Sequence, residues 1–550
     1  MKILKIVTPI LLICLGMQAF AQEQPANGQG MSAVSRGIQQ LLIPENPVIE
    51  GVPIIALKVV RDVYRDNAYK PYWTDERNIQ ELVQLISDAS DHGLNPADYN
   101  IRELNAILAR RTKSPSAMIR AEADIVLTES LLRYGYQRRY GKVKASALDP
   151  DINFRRATFR NQAPSETLRE VLSAPSLQGF MDLVAPAGPY YSRLQYWLAQ
   201  YRKLSDAGGW PVIPEGPTLH PGDTDKRVVT IRARLKITGD LQSDNDKPAT
   251  EFGESLREAV IAFQTRHALD ADGVIGKNTI AEMNVPVGQR IDQLRTALER
   301  LRWVNQEAAD TLVAVNIASF RAFYISDGKM VWDTRAMVGK SYRRTPVFRD
   351  DIKYLEFNPT WTIPPTILRK DTLPAIKRDP NYLASKNIRV IDRSGSFVDP
   401  SSVNWNQYTT SVPYTLRQDP GPNNALGTVK FIFPNEHMVY LHDTPHRELF
   451  NRPERAFSSG CIRIENPLTL GALLLADQNY GESDLEGVIA TKKTQRIHLT
   501  TPIPIIITYL TAGIDLDGNV MFFRDIYDRD QRVLDALDGP VVIDLPGTKN

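Results

Sequence analysis

The chain has two cysteines, Cys14 and Cys461. Residues 1–21 read as an export leader: Lys2 and Lys5, an apolar run from Ile6 to Met17, then Ala19-Phe20-Ala21 before Gln22. Its removal leaves Cys461 as the single thiol of an exported chain, where unpaired cysteines are oxidised or mispaired. A lone thiol kept there points to a nucleophile. Because a free thiol is only a few per cent ionised near neutrality, it needs a base or a cation beside it. His442, upstream on what reads as a neighbouring strand, is the candidate base. A strand starting at Cys461 puts Cys461, Arg463 and Glu465 on one face and Ile462 and Ile464 on the other. Arg463 then sits beside the thiol, either to grip a substrate carboxylate or to support the thiolate. Ser459-Gly460 permits a tight turn that aims the backbone N–H groups of Gly460 and Cys461 at one point. Such donors stabilise an oxyanion by ~3–4 kcal/mol each. If His437 to His442 is extended, Met438, Tyr440 and His442 share a face, so Tyr440 is either channel wall or core. Trp361 is a candidate for the same wall. The rival reading is a metal site built from His437, His442, His446 and Cys461. Pro445 and the strand alternation both oppose it, so no metal or other cofactor is expected, and His446 reads as a solvated loop residue. Asp443 points away from His442 on a continuing strand, which makes a backbone carbonyl the expected partner of the imidazole.

The remaining sequence supplies elements to hold these groups. At 550 residues and 42% apolar content there is room for about three or four domains. The formal charge of +2 falls to 0 once Lys2 and Lys5 are removed, which gives no argument for a polyanionic partner. No later stretch approaches ~18 consecutive apolar residues, so no transmembrane segment is expected in the mature chain. Gln22 to Gly37 reads as disordered. Residues 38–210 read as a mainly helical scaffold. Leu82, Leu85, Ile86 and Ala89 form one stripe ending near Gly93, and Ser114-Pro115 looks like a helix start. Trp73, Tyr134, Tyr136, Tyr140 and Trp197 fall at helical spacing and read as core rather than a sugar-binding surface. After a Pro/Gly-rich linker, residues 220–286 read as a small helical unit, in which His267 is expected to cap a helix. From 308 the apolar period changes from 3.6 to 2, and a β-rich domain runs to 512 with a hairpin at Asp327-Gly328. The insertion at about 363–426 is rich in Pro, Ser, Asn and Asp and reads as a lid. Residues 513–550 add a hairpin and a helix.

Two resemblances follow from motifs. Arg232-x-x-Leu235, Ala259-Val260-x-x-Phe263-Gln264 and Asp272-Gly273-x-x-Gly276-x-x-Thr279 resemble the small three-helix peptidoglycan-binding domain. His442 with Ser458-Ser459-Gly460-Cys461-Ile462-Arg463 resembles the signature of the L,D-transpeptidases with a YkuD-type catalytic domain. Tyr440 to Pro445 and Pro420-Gly421-Pro422-x-Asn424-Ala425-Leu426-Gly427 look like that family's large periplasmic members. The fold implied is a multidomain α+β chain: helical scaffold, peptidoglycan-binding domain and β-rich catalytic domain with a lid. Many smaller members have histidine at position 459 and asparagine at 463, so the base is carried onto His442. The resemblance implies thiol attack on the L-to-D amide of a peptidoglycan stem tetrapeptide, with loss of D-alanine. A thioester to the meso-diaminopimelate carbonyl forms, and an amine of a second stem resolves it as a 3→3 cross-link. It also implies a periplasmic site of action and acylation by carbapenems. The chemistry of a Cys–His pair does not choose between an amine and water as second nucleophile. An L,D-carboxypeptidase or peptidoglycan amide hydrolase therefore stays open, as does a non-catalytic wall-binding scaffold. Excluding water is the task a lid would serve.

Overall fold

The computed structural model describes residues 30–541, apart from 115, 157–162, 187, 246–247 and 306–308. The leader at 1–21, Cys14 and the end of the C-terminal tail lie outside the described residues. Part of the stretch expected to be disordered is helical. Ala33–Leu41 forms a helix whose N-cap, Ser32, accepts a hydrogen bond from the Ser35 N–H, and Ile38 is fully buried. One capping serine and one well-packed apolar side chain are enough to override a polar composition.

The scaffold is built around the helix Ala117–Tyr140, whose sides are almost all buried. It starts two residues later than Ser114-Pro115 suggests, because the Ser116 side chain accepts from the Ile119 N–H. Its buried Asp124 accepts from the Tyr64 hydroxyl and from the Tyr72 and Trp73 N–H groups. Trp73, Tyr134 and Tyr140 are core residues, and the Trp73 indole donates to Thr128 at 2.9 Å. The aromatic set therefore serves packing.

Three helices, Arg227–Ile237, Glu254–Arg266 and Lys277–Met283, form the next unit around Val228, Ile231, Leu256, Phe263 and Met283. The Gln264 amide donates to Asp272 and to the Val274 carbonyl, tying the turn to its helix. His267 is the C-cap of the second helix, its Nδ1 2.7 Å from the Phe263 carbonyl. The helix Val287–Val304 then leads into the sheet domain. Its Glu299 accepts from the Val143 N–H and the Trp303 indole, which fastens it to the scaffold.

Nine strands form the main sheet: β1 Leu312–Asn316, β2 Arg321–Ser326, β3 Lys329–Gly339, β4 Phe348–Phe357, β5 Val429–Ile432, β6 Leu441–His442, β7 Ala456–Ser458, β8 Ile462–Ile464 and β9 Gln495–Thr508. Their order is β7-β3-β8-β6-β5-β4-β9-β1-β2, and β2 pairs again with β3, so the sheet closes on itself. Asp327-Gly328 makes the β2–β3 turn, with Ser326 opposite Lys329. One row across the sheet is wholly apolar and buried: Ile462, Leu441, Phe431, Leu355 and Ile497. Burying a side chain of this size stabilises by about 1.5–3 kcal/mol, so this row fixes the register of the strands that carry the site.

The insertion is a folded subdomain rather than a long loop. Trp361–Thr362, Thr415–Gln418, Ile388–Ile391 and Phe397–Val398 pair as a small sheet. Ile363, Ile376, Leu383, Val390 and Leu416 give it a core of its own. Near the C-terminus, the hairpin Ala512–Ile514/Val520–Phe522 packs on the scaffold helix Pro189–Asp206, where the Trp197 indole donates to the Gly518 carbonyl at 2.9 Å. Asp530–Asp538 is the last helix described. No helix among the described residues is long and apolar enough to cross a membrane.

Candidate active site

β6 and β8 run parallel with Leu441 opposite Ile462 and His442 opposite Arg463. Since Leu441 and Ile462 face the core, His442 and Arg463 share the other face, and strand alternation brings Cys461 to that face as well. His442 and Cys461 thus lie diagonally across the two strands on one face. The Ile462 N–H donates to the Tyr440 carbonyl at 2.9 Å, which sets Tyr440 beside Cys461. Lys430 stands opposite His442 on the far side, followed by Glu356 and Arg496.

The strand before His442 is shorter than the sequence reading expects. Only Leu441 and His442 are extended; Met438 has φ +53° and is exposed. The Asn435 side chain accepts from the Val439 N–H and holds the chain in a turn. Met438 therefore leaves the strand, and its carbonyl lies 3.7 Å from Cys461 Sγ. His437 packs against the Phe348 ring at 4.8 Å, and exposed His446 lies 3.6 Å from Glu448. Neither joins Cys461, and no group of three or more metal-ligating side chains occurs among the described residues.

The nucleophile turn is held from inside. Gly460 has φ +123°, a conformation that side-chain-bearing residues rarely adopt. The buried Ser458 hydroxyl accepts from the Gly460 N–H at 3.0 Å and donates to the Cys461 carbonyl at 2.5 Å. Thr345 Oγ1 donates to the Gly460 carbonyl at 2.8 Å and accepts from the Gly339 N–H. The expectation for Gly460 as an oxyanion donor thus needs correcting, because its N–H is already bonded to Ser458. The Cys461 N–H meets no acceptor among the described residues. Ser459 is exposed and accepts from Arg343 Nη1 at 2.8 Å, and Arg343 also pairs with Asp371 of the insertion at 2.6 Å. That chain of contacts ties the insertion to the nucleophile turn. Trp361, by contrast, packs against the insertion's own core.

Residues 310–478 match the L,D-transpeptidase catalytic domain, residues 224–283 a peptidoglycan binding domain and residues 58–198 a scaffold domain. The region that carries His442 and Cys461 is thus similar to the L,D-transpeptidase catalytic domain. A putatively assigned L,D-transpeptidase of Haemophilus influenzae is 38% identical over 221 residues, covering 40% of this chain and 45% of that protein. The chain thus spans about half the length of this curated relative. A solved L,D-transpeptidase fragment from Xylanimonas cellulosilytica is 14% identical, covering 54% of this chain and 98% of the other, with a TM-score of 0.17.

In this domain His442 is buried and its pKa is lowered to about 3. Burial is the main cause, and the charges of Arg463 and Lys430 push the same way, against the backbone carbonyls of Asp443 and Leu426. Nδ1 lies 2.5 Å from the Asp443 carbonyl, as the sequence reading expects of the orienting group. A carbonyl can only accept, so in the neutral ring Nδ1 carries the proton and Nε2 the lone pair. Asp443 is itself held: its carboxylate accepts from the Thr428 N–H and hydroxyl, both at 2.9 Å. Gly427, at φ +64°, lets it approach, since a Cβ there would meet the Asp443 side chain at 2.5 Å. Burial also raises the thiol pKa of half-buried Cys461, opposed by the Tyr440 backbone and by Lys430 and Arg463. At neutral pH the pair is a neutral thiol and a neutral imidazole. Ser458 lies inside the recognised motif, but nothing in sequence spacing singles out Thr345, Arg343 or Lys430.

Proposed function

We propose that this protein is an L,D-transpeptidase that forms 3→3 cross-links between peptidoglycan stem peptides in the periplasm, through a thioester on Cys461. The observation that carries this is a thiol just before β8 and a buried neutral imidazole on the parallel strand β6, on one sheet face beside a folded insertion, within the region that matches the L,D-transpeptidase catalytic domain. The neutral imidazole takes the Sγ proton as sulfur attacks the L-to-D amide carbonyl of the donor stem. The Cys461 N–H is free to donate to the oxyanion that develops. Collapse breaks the C–N bond, and the imidazolium returns its proton to the departing D-alanine amine. An amine of a second stem then attacks the thioester, gives a proton to His442 and releases the thiol. The insertion, tied to the turn through Arg343, covers the thioester against water. A carbapenem would be opened by the same attack and remain on Cys461 as an ester of sulfur. The binding domain at 224–283 holds the enzyme on the polymer it acts on.

The test is mass spectrometry of tetrapeptide-containing muropeptides incubated with the protein. Cross-linked dimers lacking one D-alanine are the expected product. Tripeptides without dimers would mean that water, not an amine, resolves the thioester, and would replace this reading with a carboxypeptidase.

A further inference from the structure

The row Arg463–His442–Lys430–Glu356–Arg496 crosses four strand boundaries on the face that carries Cys461. Glu356 is paired with Arg496, whose Nε lies 2.7 Å from its carboxylate, and it acts on the Lys430 ammonium only through its charge. Lys430 and Arg463, one strand either side of His442, therefore have no carboxylate within 4 Å among the described residues. The half-buried Lys430 ammonium rests 3.7 Å from the centre of the Tyr440 ring. None of its protons meets an acceptor among the described residues, and the buried Nε of Arg463 has no partner either. A cation–π contact recovers only about 0.5–2 kcal/mol and satisfies no hydrogen bond. Two half-buried cations that oppose protonation of the base between them are a poor arrangement for the empty protein. They are a good one for a protein holding an anion.

We infer that Lys430 and Arg463 form a carboxylate subsite straddling His442, which grips the donor stem peptide while Cys461 attacks it. This rests on the transpeptidase reading. Lys430 supplies a point charge and the Arg463 fork a directional contact. Tyr440 is the platform against which the Lys430 ammonium rests on this face. A bound carboxylate also offsets the positive field at His442, so the imidazole becomes a better base only once donor is in place. The carboxylate has two possible sources on a stem peptide, the terminal residue and the side chain of the diamino acid.

The test follows thioester formation on the full chain by intact mass, with three donors: the free tetrapeptide, its C-terminal carboxamide and its side-chain carboxamide. For wild type, one of the two amides should acylate Cys461 at least tenfold more slowly than the acid, and which one identifies the source. Lys430→Met should bring the acid-to-amide ratio close to one, with Lys430→Arg restoring most of it. Thermal midpoints for both variants report whether they fold. Equal use of all three donors by wild type would overturn the subsite. So would a Lys430→Met variant that slows every donor by the same factor, since that indicates a role in thiol reactivity or folding. Absence of any thioester on wild type with the free acid would overturn the transpeptidase reading itself.

Discussion

Replacing Ser458 by alanine removes one oxygen from the nucleophile turn and breaks two hydrogen bonds at once. The side chain is 2% exposed and joins the Gly460 N–H to the Cys461 carbonyl. A buried polar group left without a partner costs about 1–3 kcal/mol. Gly460 is buried and Cys461 half-buried, so the first loss should fall near the top of that range and the second near the bottom. Together they give ~4 kcal/mol, or a fall of about 8–16 °C in the midpoint of a domain of this size. The freed turn should also let Sγ drift from the imidazole, and displacements of about 1 Å can lower rates ~100-fold. Ser459→Ala is the control, because that hydroxyl is exposed and, among the described residues, bonds only to Arg343. It should shift the midpoint little, by ~0.5 kcal/mol or less. Differential scanning calorimetry and the rate of Cys461 acylation by a carbapenem measure both effects. A Ser458→Ala protein as stable and reactive as wild type, or one less affected than Ser459→Ala, would refute the account of the turn.

Three further outcomes are expected. His442 titrates near 3 in the fold and near 6.5 unfolded, so unfolding takes up a proton below pH 6.5. Its contribution is fully present above 6.5 and is lost as pH falls toward 3, by about 1.4 kcal/mol per unit; His442→Gln should flatten the midpoint-versus-pH slope there, and an unchanged slope would contradict the neutral imidazole. Gly427→Ala forces a Cβ against Asp443 at 2.5 Å and displaces the carbonyl that orients His442, so acylation should slow at least ~10-fold while far-UV circular dichroism stays native. Arg343→Ala breaks the link between Ser459 and Asp371, and limited proteolysis should then cut within 361–418 sooner than in wild type.

The main framework was legible because apolar periodicity survives folding. Ile462 and Ile464 alternate into the core, which places Cys461 and Arg463 together on the open face. Leu82, Leu85 and Ile86 pack as one helical stripe. Backbone trapped by side chains was not legible. Asn435 captures the Val439 N–H and bends a segment whose composition reads as strand, and Ser116 rather than Ser114 caps its helix. The insertion looked like a loop because its strands have two to four residues, too few for a period to show. Partners far apart in the chain were equally hidden. Thr345 reaches Gly460 across 115 positions, and Lys430 matters only through its register with His442. The role first given to the Gly460 N–H failed for the same reason, since the competing acceptor is a side chain two residues away that alternation does not reveal.

The most direct test of the central claim is the intact mass of the protein quenched in acid during turnover of a stem tetrapeptide. The account predicts an adduct equal to the tetrapeptide less D-alanine, located on the peptide containing Cys461, absent from Cys461→Ala and released by hydroxylamine. An unmodified chain during demonstrable turnover, or an adduct that persists in Cys461→Ala, would contradict it.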